Sequence, residues 1–97
     1  MSLAHTISRY NRDRKWSLFL EHFPPTPDQQ VLDVGFSEKE YSATDNYIEK
    51  HYPYPGMLTA LGVDAPGQFS ARYPEVTAVQ YDGGRFPFQD QQFDVLW

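Results

Sequence analysis

Cysteine is absent from all 97 residues, which excludes a disulfide framework, a thiolate metal site and a cysteine nucleophile. No apolar run approaches the roughly 18 residues that a membrane-spanning helix needs. The first ten residues, Met1 to Tyr10, also lack the apolar stretch of a secretory signal. These absences lead to the expectation of a cytoplasmic protein with no membrane partner. Basic residues are scarce beyond Trp16: residues 1–16 carry a net charge of +3 and the remainder −8. Such an acidic body disfavours a nucleic-acid backbone as partner. The basic cluster of Arg9, Arg12, Arg14 and Lys15 is either the solvated face of a helix or a contact for an anionic substrate. His5, His22 and His51 share no metal-ligand spacing, so no metal is expected. Ser37, Ser42 and Ser70 have no partnered base, which leaves a nucleophilic triad without support.

Aromatic residues, by contrast, are plentiful at 16%, and hydrophobic residues make up 40%. That is enough to build a core, so a folded domain is expected rather than a disordered chain. The length allows one domain, close to the lower limit for a self-sufficient α/β unit. Trp16, Phe19, Leu20 and Phe23 recur at helical spacing, which predicts a helix from about Ser8, its N-cap, to Phe23. Pro24 and Pro25 stop it, and residues 24–29 form a stiff connector. Residues 30–34 read as a short buried strand ended by Gly35. After a polar, acid-rich loop, Asp45 to His51 reads as a short helix with Thr44 as its cap. Met57 to Val63 is a second strand, and residues 66–73 a short helix stopped by Pro74. Val76 to Tyr81 is a third strand, and Phe93 to Trp97 starts a fourth.

Strands alternating with helices imply a mainly parallel sheet. In open α/β sheets the ligand sits beyond the carboxyl ends of the strands. Here the first strand ends at Gly35, the second at Gly62-Val63-Asp64 and the third at Asp82-Gly83. A carboxylate after the second strand can accept both hydroxyls of a ribose. One after the third can accept from an exocyclic amine such as that of adenine. A glycine beside it lets the backbone approach the ring. The alternatives are a helix cap for Asp64 and a turn former for Asp82. Asp33 is either a hydrogen-bonding partner of the following loop or part of a ligand pocket.

The stretch Val31-Leu32-Asp33-Val34-Gly35 resembles the first motif of class I S-adenosylmethionine-dependent methyltransferases. Gly62-Val63-Asp64 is similar to the ribose-binding end of their second strand. Gln80-Tyr81-Asp82-Gly83, followed by Phe86-Pro87-Phe88 and Phe93-Asp94-Val95-Leu96, resembles the D-x-x-x-L-P-F-x-x-x-x-F-D pattern of the type 11 members, with Phe86 in place of leucine. The resemblance covers residues 31–97. It implies a partial Rossmann-like α/β fold with a leading N-terminal helix, truncated at the fourth strand. Residues 1–29 would be the helix and connector, and residues 30–97 the N-terminal half of a cofactor-binding domain. It also implies S-adenosylmethionine as cofactor, held by Asp33, Gly35, Phe36, Ser37, Asp64, Ala65, Asp82 and Gly83. The activity implied is methyl transfer to an unidentified acceptor, and Asp94 would orient its loop. The chain departs from the pattern at Ser37, which stands where a second glycine belongs.

A nicotinamide dinucleotide is disfavoured, because its pyrophosphate needs the amides of a G-x-G-x-x-G turn. Here one glycine precedes Glu38, Glu40 and Asp45, a loop better suited to a cationic ligand. No residue is assigned as catalytic, since a general base would lie after the fourth strand or later. That strand is expected to leave an open edge able to pair with another copy. The chain is therefore expected to be inactive alone, as a fragment or a partner-dependent half-domain. The other function class is a non-catalytic α/β module that acts through a protein partner.

Overall fold

The computed structural model describes residues 3–82, 84, 87–88 and 92–97, apart from the side chains of His5 and Ser8. Helix α1 (Leu3–His22) leads into strand β1 (Val31–Val34), then helix α2 (Tyr47–His51). A 3-10 turn, Pro55–Met57, precedes β2 (Leu58–Gly62); α3 (Gly67–Arg72), β3 (Thr77–Gln80) and β4 (Val95–Leu96) follow. The helix and strand types match the sequence expectation, with two local corrections. Helix α1 begins five residues before Ser8, which is therefore not its N-cap. Thr44 does not cap α2; Asn46 stands at that position in the left-handed region, φ 51°, and makes no side-chain cap. Its side-chain amide is engaged by the backbone of Ser37, and the Thr44 N–H donates to Ser42 Oγ at 3.3 Å.

The sheet is four-stranded, in the order β3-β2-β1-β4, and every pairing is parallel. Val31 faces Leu58 on one side and Val95 on the other, and Asp33 faces Ala60. Side chains alternate across a strand, so Val31, Asp33, Leu58, Ala60 and Val95 share one face. That face is covered by the helices: its apolar members form one cluster with Phe19, Ile48, Tyr52 and Phe69. Burying these side chains contributes about 1.5–3 kcal/mol each, which outweighs the weak propensity of helices only five and six residues long. Of the stripe on α1, Phe19 is buried and Trp16 and Leu20 pack against the same cluster. Phe23 falls just past the helix end and stays exposed, its ring 5.6 Å from that of Phe19.

Strands β1, β2 and β3 advance across the sheet in sequence order, and β4 returns to the other side of β1. The order therefore reverses between β1 and β4. Crevices at such reversals, beyond the carboxyl ends of the strands, are where open α/β sheets bind ligands. Strand β4 is tied down by Asp94, whose Oδ2 accepts the Gln30 N–H at 2.8 Å while its own N–H donates to Gln30 O at 2.9 Å. It lies at the sheet edge, and Leu96 is 65% exposed. Among the described residues no helix is long and apolar enough to cross a membrane.

Candidate functional site

Beyond Val34 the chain must leave the sheet, and it does so at Gly35 with φ 100°, a conformation that favours glycine. Leu61 O accepts both the Gly35 N–H (2.6 Å) and the Phe36 N–H (3.4 Å), which pins the turn to the end of β2. Nothing lies within 4 Å of where a Cβ at Gly35 would project, so this backbone is open to approach. The Phe36 ring folds back over Gly62 and packs on Phe69, ring centroids 4.5 Å apart. Ser37 is then fixed by Asn46: the Ser37 N–H donates to Asn46 Oδ1 at 2.6 Å, and Asn46 Nδ2 donates to Ser37 O at 2.8 Å. These two hydrogen bonds, to the peptide groups on either side of Ser37, hold the turn at the position where the sequence has serine and not glycine.

Two cavities flank this turn. One, of about 560 Å³, is lined by Phe36, Ser37, Glu38 and Tyr41 from the β1 side and by Asp64 and Ala65 from the β2 side. The other, of about 240 Å³, lies between the ends of β1 and β4, where Asp33, Gly35 and Ser37 meet Trp97, and Arg12 and Lys15 of α1 complete it. Ser37 lines both. Six of the eight residues expected from sequence thus gather at the turn: Gly35, Phe36 and Ser37 in it, Asp33 in one cavity, and Asp64 and Ala65 in the other. Asp82 lines neither. Its Oδ1 accepts the Gly84 N–H at 2.8 Å, the geometry of a turn former, just beyond the carboxyl end of β3. Gly83 and Phe86 lie outside the described residues. Asp64 does not cap α3; Glu38 does that, its Oε1 accepting the Gln68 N–H from across the loop.

The acid-rich loop is not the open negative surface that the sequence suggests. Glu40 Oε2 accepts from Tyr73 Oη and from Asn46 Nδ2 (3.0 Å), and its carboxylate pairs with Lys50 Nζ (3.4 Å) and Arg72 Nε (3.3 Å). Burial raises the Glu40 pKa, but hydrogen bonds from Tyr73 and Asn46 and the charge of Lys50 together bring it below the ordinary value. Asp45 Oδ2 accepts the N–H groups of Tyr41 (2.7 Å) and Ser42 (3.0 Å). These carboxylates hold the loop together. Glu38 Oε2, buried in the wall of the larger cavity, has no hydrogen-bond partner among the described residues.

The smaller cavity carries charge of both signs, which sequence reasoning missed. The Lys15 ammonium lies over the Trp97 ring, 4.0 Å from its centroid, and burial, followed by the charge of Arg12, lowers its pKa. Asp33 is buried, and burial raises its pKa against the pull of Glu49, Lys15 and Arg12. Helix α1 is held over the cavity by the Tyr47 hydroxyl, which donates to Asp13, and by Trp16 against Trp97 at 5.4 Å. Burial, then that hydrogen bond, pushes the Tyr47 phenol up to about 12. One weak signal was present: Arg12 and Lys15 sit on the same side of a helix whose Trp16 is in the apolar stripe. Among the described residues no cluster of histidine, aspartate and glutamate could hold a metal ion.

No protein-family model matches the chain, and no curated protein or solved structure is similar to it at a significant level.

Proposed function

We propose that this chain binds S-adenosylmethionine as the cofactor-binding part of a Rossmann-like methyltransferase. The observation that carries the reading is the cavity that joins the β1 turn, Phe36 and Ser37, to Asp64 and Ala65 after β2. The parallel order β3-β2-β1-β4 supports it, being the first half of the doubly wound dinucleotide-type sheet. Two observations test the fit of the cofactor. Gly35 presents backbone with open space above it, and the adjoining cavity pairs Arg12 and Lys15 with Asp33. The methionyl end is a zwitterion, and those charges complement both of its groups.

In this reading Asp64, exposed at the strand end, accepts from the two ribose hydroxyls. Arg12 and Lys15 receive the carboxylate, and Asp33 faces the ammonium. Ser37, held by Asn46, separates the nucleoside from the amino-acid end. When bound, S-adenosylmethionine supplies a methyl group on a sulfonium, and a nucleophile of the acceptor displaces a neutral thioether. The chain's contribution is alignment. Asp82 is left out of the site, because its carboxylate already shapes the turn at Gly84.

The test is calorimetric titration of S-adenosylhomocysteine, with NAD⁺ as the comparison. Micromolar binding of the first and none of the second is expected, and Asp64→Ala should cost about 2 kcal/mol, the worth of charge-assisted hydrogen bonds. Unchanged affinity in that variant removes Asp64 from the site. Preference for NAD⁺ makes the cationic pair a pyrophosphate site instead. Silence toward both leaves the non-catalytic module as the better reading.

A further inference from the structure

Three consecutive residues of the five-residue helix α2, Tyr47, Ile48 and Glu49, are all buried, so the helix is packed on more than one side. Glu49 is 5% exposed, and neither of its buried oxygens has a hydrogen-bond partner on another residue; its own backbone N–H is the one donor that acts on it. The carboxyl of Asp33, itself 7% exposed, is the side chain that acts on it most directly. Ionised carboxylates are acceptors only, so two of them facing each other out of water repel and leave their lone pairs unsatisfied. One proton between them removes both costs, as in other carboxyl pairs that share a site.

We infer that Glu49 is the proton-holding partner of Asp33, a protonated carboxyl that donates to Asp33 and keeps it ionised toward the cavity between α1 and β1. The charges around the pair decide which member holds the proton. Asp33 faces Lys15 and Arg12 of α1. Glu49 feels Asp33 from β1 and Glu40 from the loop, both negative. Tyr73, at the end of α3, is neutral and donates to Glu40. The nearby cations Lys50 and Arg72 are paired with that same Glu40. The negative charge therefore settles on Asp33 and the proton on Glu49. The titration trend agrees: burial first, then Asp33, pushes Glu49 up to about 9. The two titrate as a pair, not as independent groups.

Glu49 is thus a positioning residue, buried behind the wall of the site. Its role as donor is independent of what binds, but its consequence for affinity rests on the proposed ammonium contact of Asp33. The primary test is proton release from the ligand-free protein between about pH 7 and 11, measured potentiometrically against Glu49→Gln. Wild type should release one proton more, with a midpoint near 9. Asp33→Asn should move that release to lower pH, because the facing charge is gone. Identical curves for wild type and Glu49→Gln, or no movement in Asp33→Asn, overturn the inference. At pH 7, Glu49→Gln keeps a donor and should hold S-adenosylhomocysteine within about twofold of wild type, whereas Glu49→Leu should lose about tenfold. Equal losses in the two variants also overturn it. An extra released proton without any binding of S-adenosylhomocysteine upholds the carboxyl pair and sinks the cofactor reading alone.

Discussion

Replacing Gly62 by alanine probes the contact on which the shape of the site depends. An added Cβ would stand 2.7 Å from both Cδ1 and Cε1 of Phe36 and 3.2 Å from Cγ. Carbon atoms pack at about 3.5–4.0 Å, so the ring would have to retreat by close to 1 Å. Phe69 backs it at 4.5 Å and is itself wholly buried, with Tyr73 at 5.1 Å behind it, so the strain is relieved at the expense of the cavity that Phe36 lines. Overpacking of this kind costs about 1–3 kcal/mol. At the middle of that range the Tm of a domain this size falls by roughly 10 °C. Since Ser37 follows Phe36, a displaced ring also moves the turn, and on the proposed reading S-adenosylhomocysteine affinity should fall with stability. The assay is a double-mutant cycle in urea with Gly62→Ala, Phe36→Leu and both together. Leucine frees the space of the ring edge, so the double variant should be more stable than the sum of the singles by about 1 kcal/mol or more. Strict additivity, or an unchanged midpoint for Gly62→Ala, refutes the argument.

Three further outcomes follow from the same geometry. Asn46→Ala loses both bonds to Ser37 and strains a residue at φ 51°, so it should cost about 2–3 kcal/mol in urea unfolding. Asn46→Gly relieves the strain but not the lost bonds, and should recover only part of that. Glu40 has a lowered folded pKa, so its stabilisation is full above the ordinary glutamate value and disappears as pH falls through the lower one. Melting curves from about pH 6 to 3 should therefore show a steeper acid loss in wild type than in Glu40→Gln. Tyr47 is raised instead, so its contribution is complete below the ordinary phenol value and is lost as pH rises through about 12. Absorbance titration of tyrosinate should lose that late step in Tyr47→Phe, and α1, released from Asp13, should become more open to proteolysis.

Much of the scaffold was legible in the residue order. Pro24, Pro53, Pro55 and Pro74 bracket the helices because a ring without an N–H cannot continue one. Val-Leu-Asp-Val and Thr-Ala-Val-Gln read as strands because short β-branched runs between turn formers have few other options. Gly35 announced the turn, and its positive φ shows why a residue without a Cβ stands there. Such signals are local, a few residues wide, and need no knowledge of neighbours.

What the tertiary structure alone decided is which charges meet. Asp33 and Glu49 look like two acids among thirteen, and only the fold of α2 onto the sheet brings them out of water against each other. Glu38, Glu40 and Asp45 read as a negative loop for a cationic ligand, yet each is taken up by partners within the loop or on α2 and α3. Arg12 and Lys15 read as a basic helix face, and only the placement of α1 across the end of β4 makes them the wall of a cavity, with Lys15 still exposed. A carboxylate's chemistry depends on burial and on the charges within a few ångströms, and those neighbours come from segments tens of residues apart. The strands were written in the sequence; the electrostatics of the site were made by their packing.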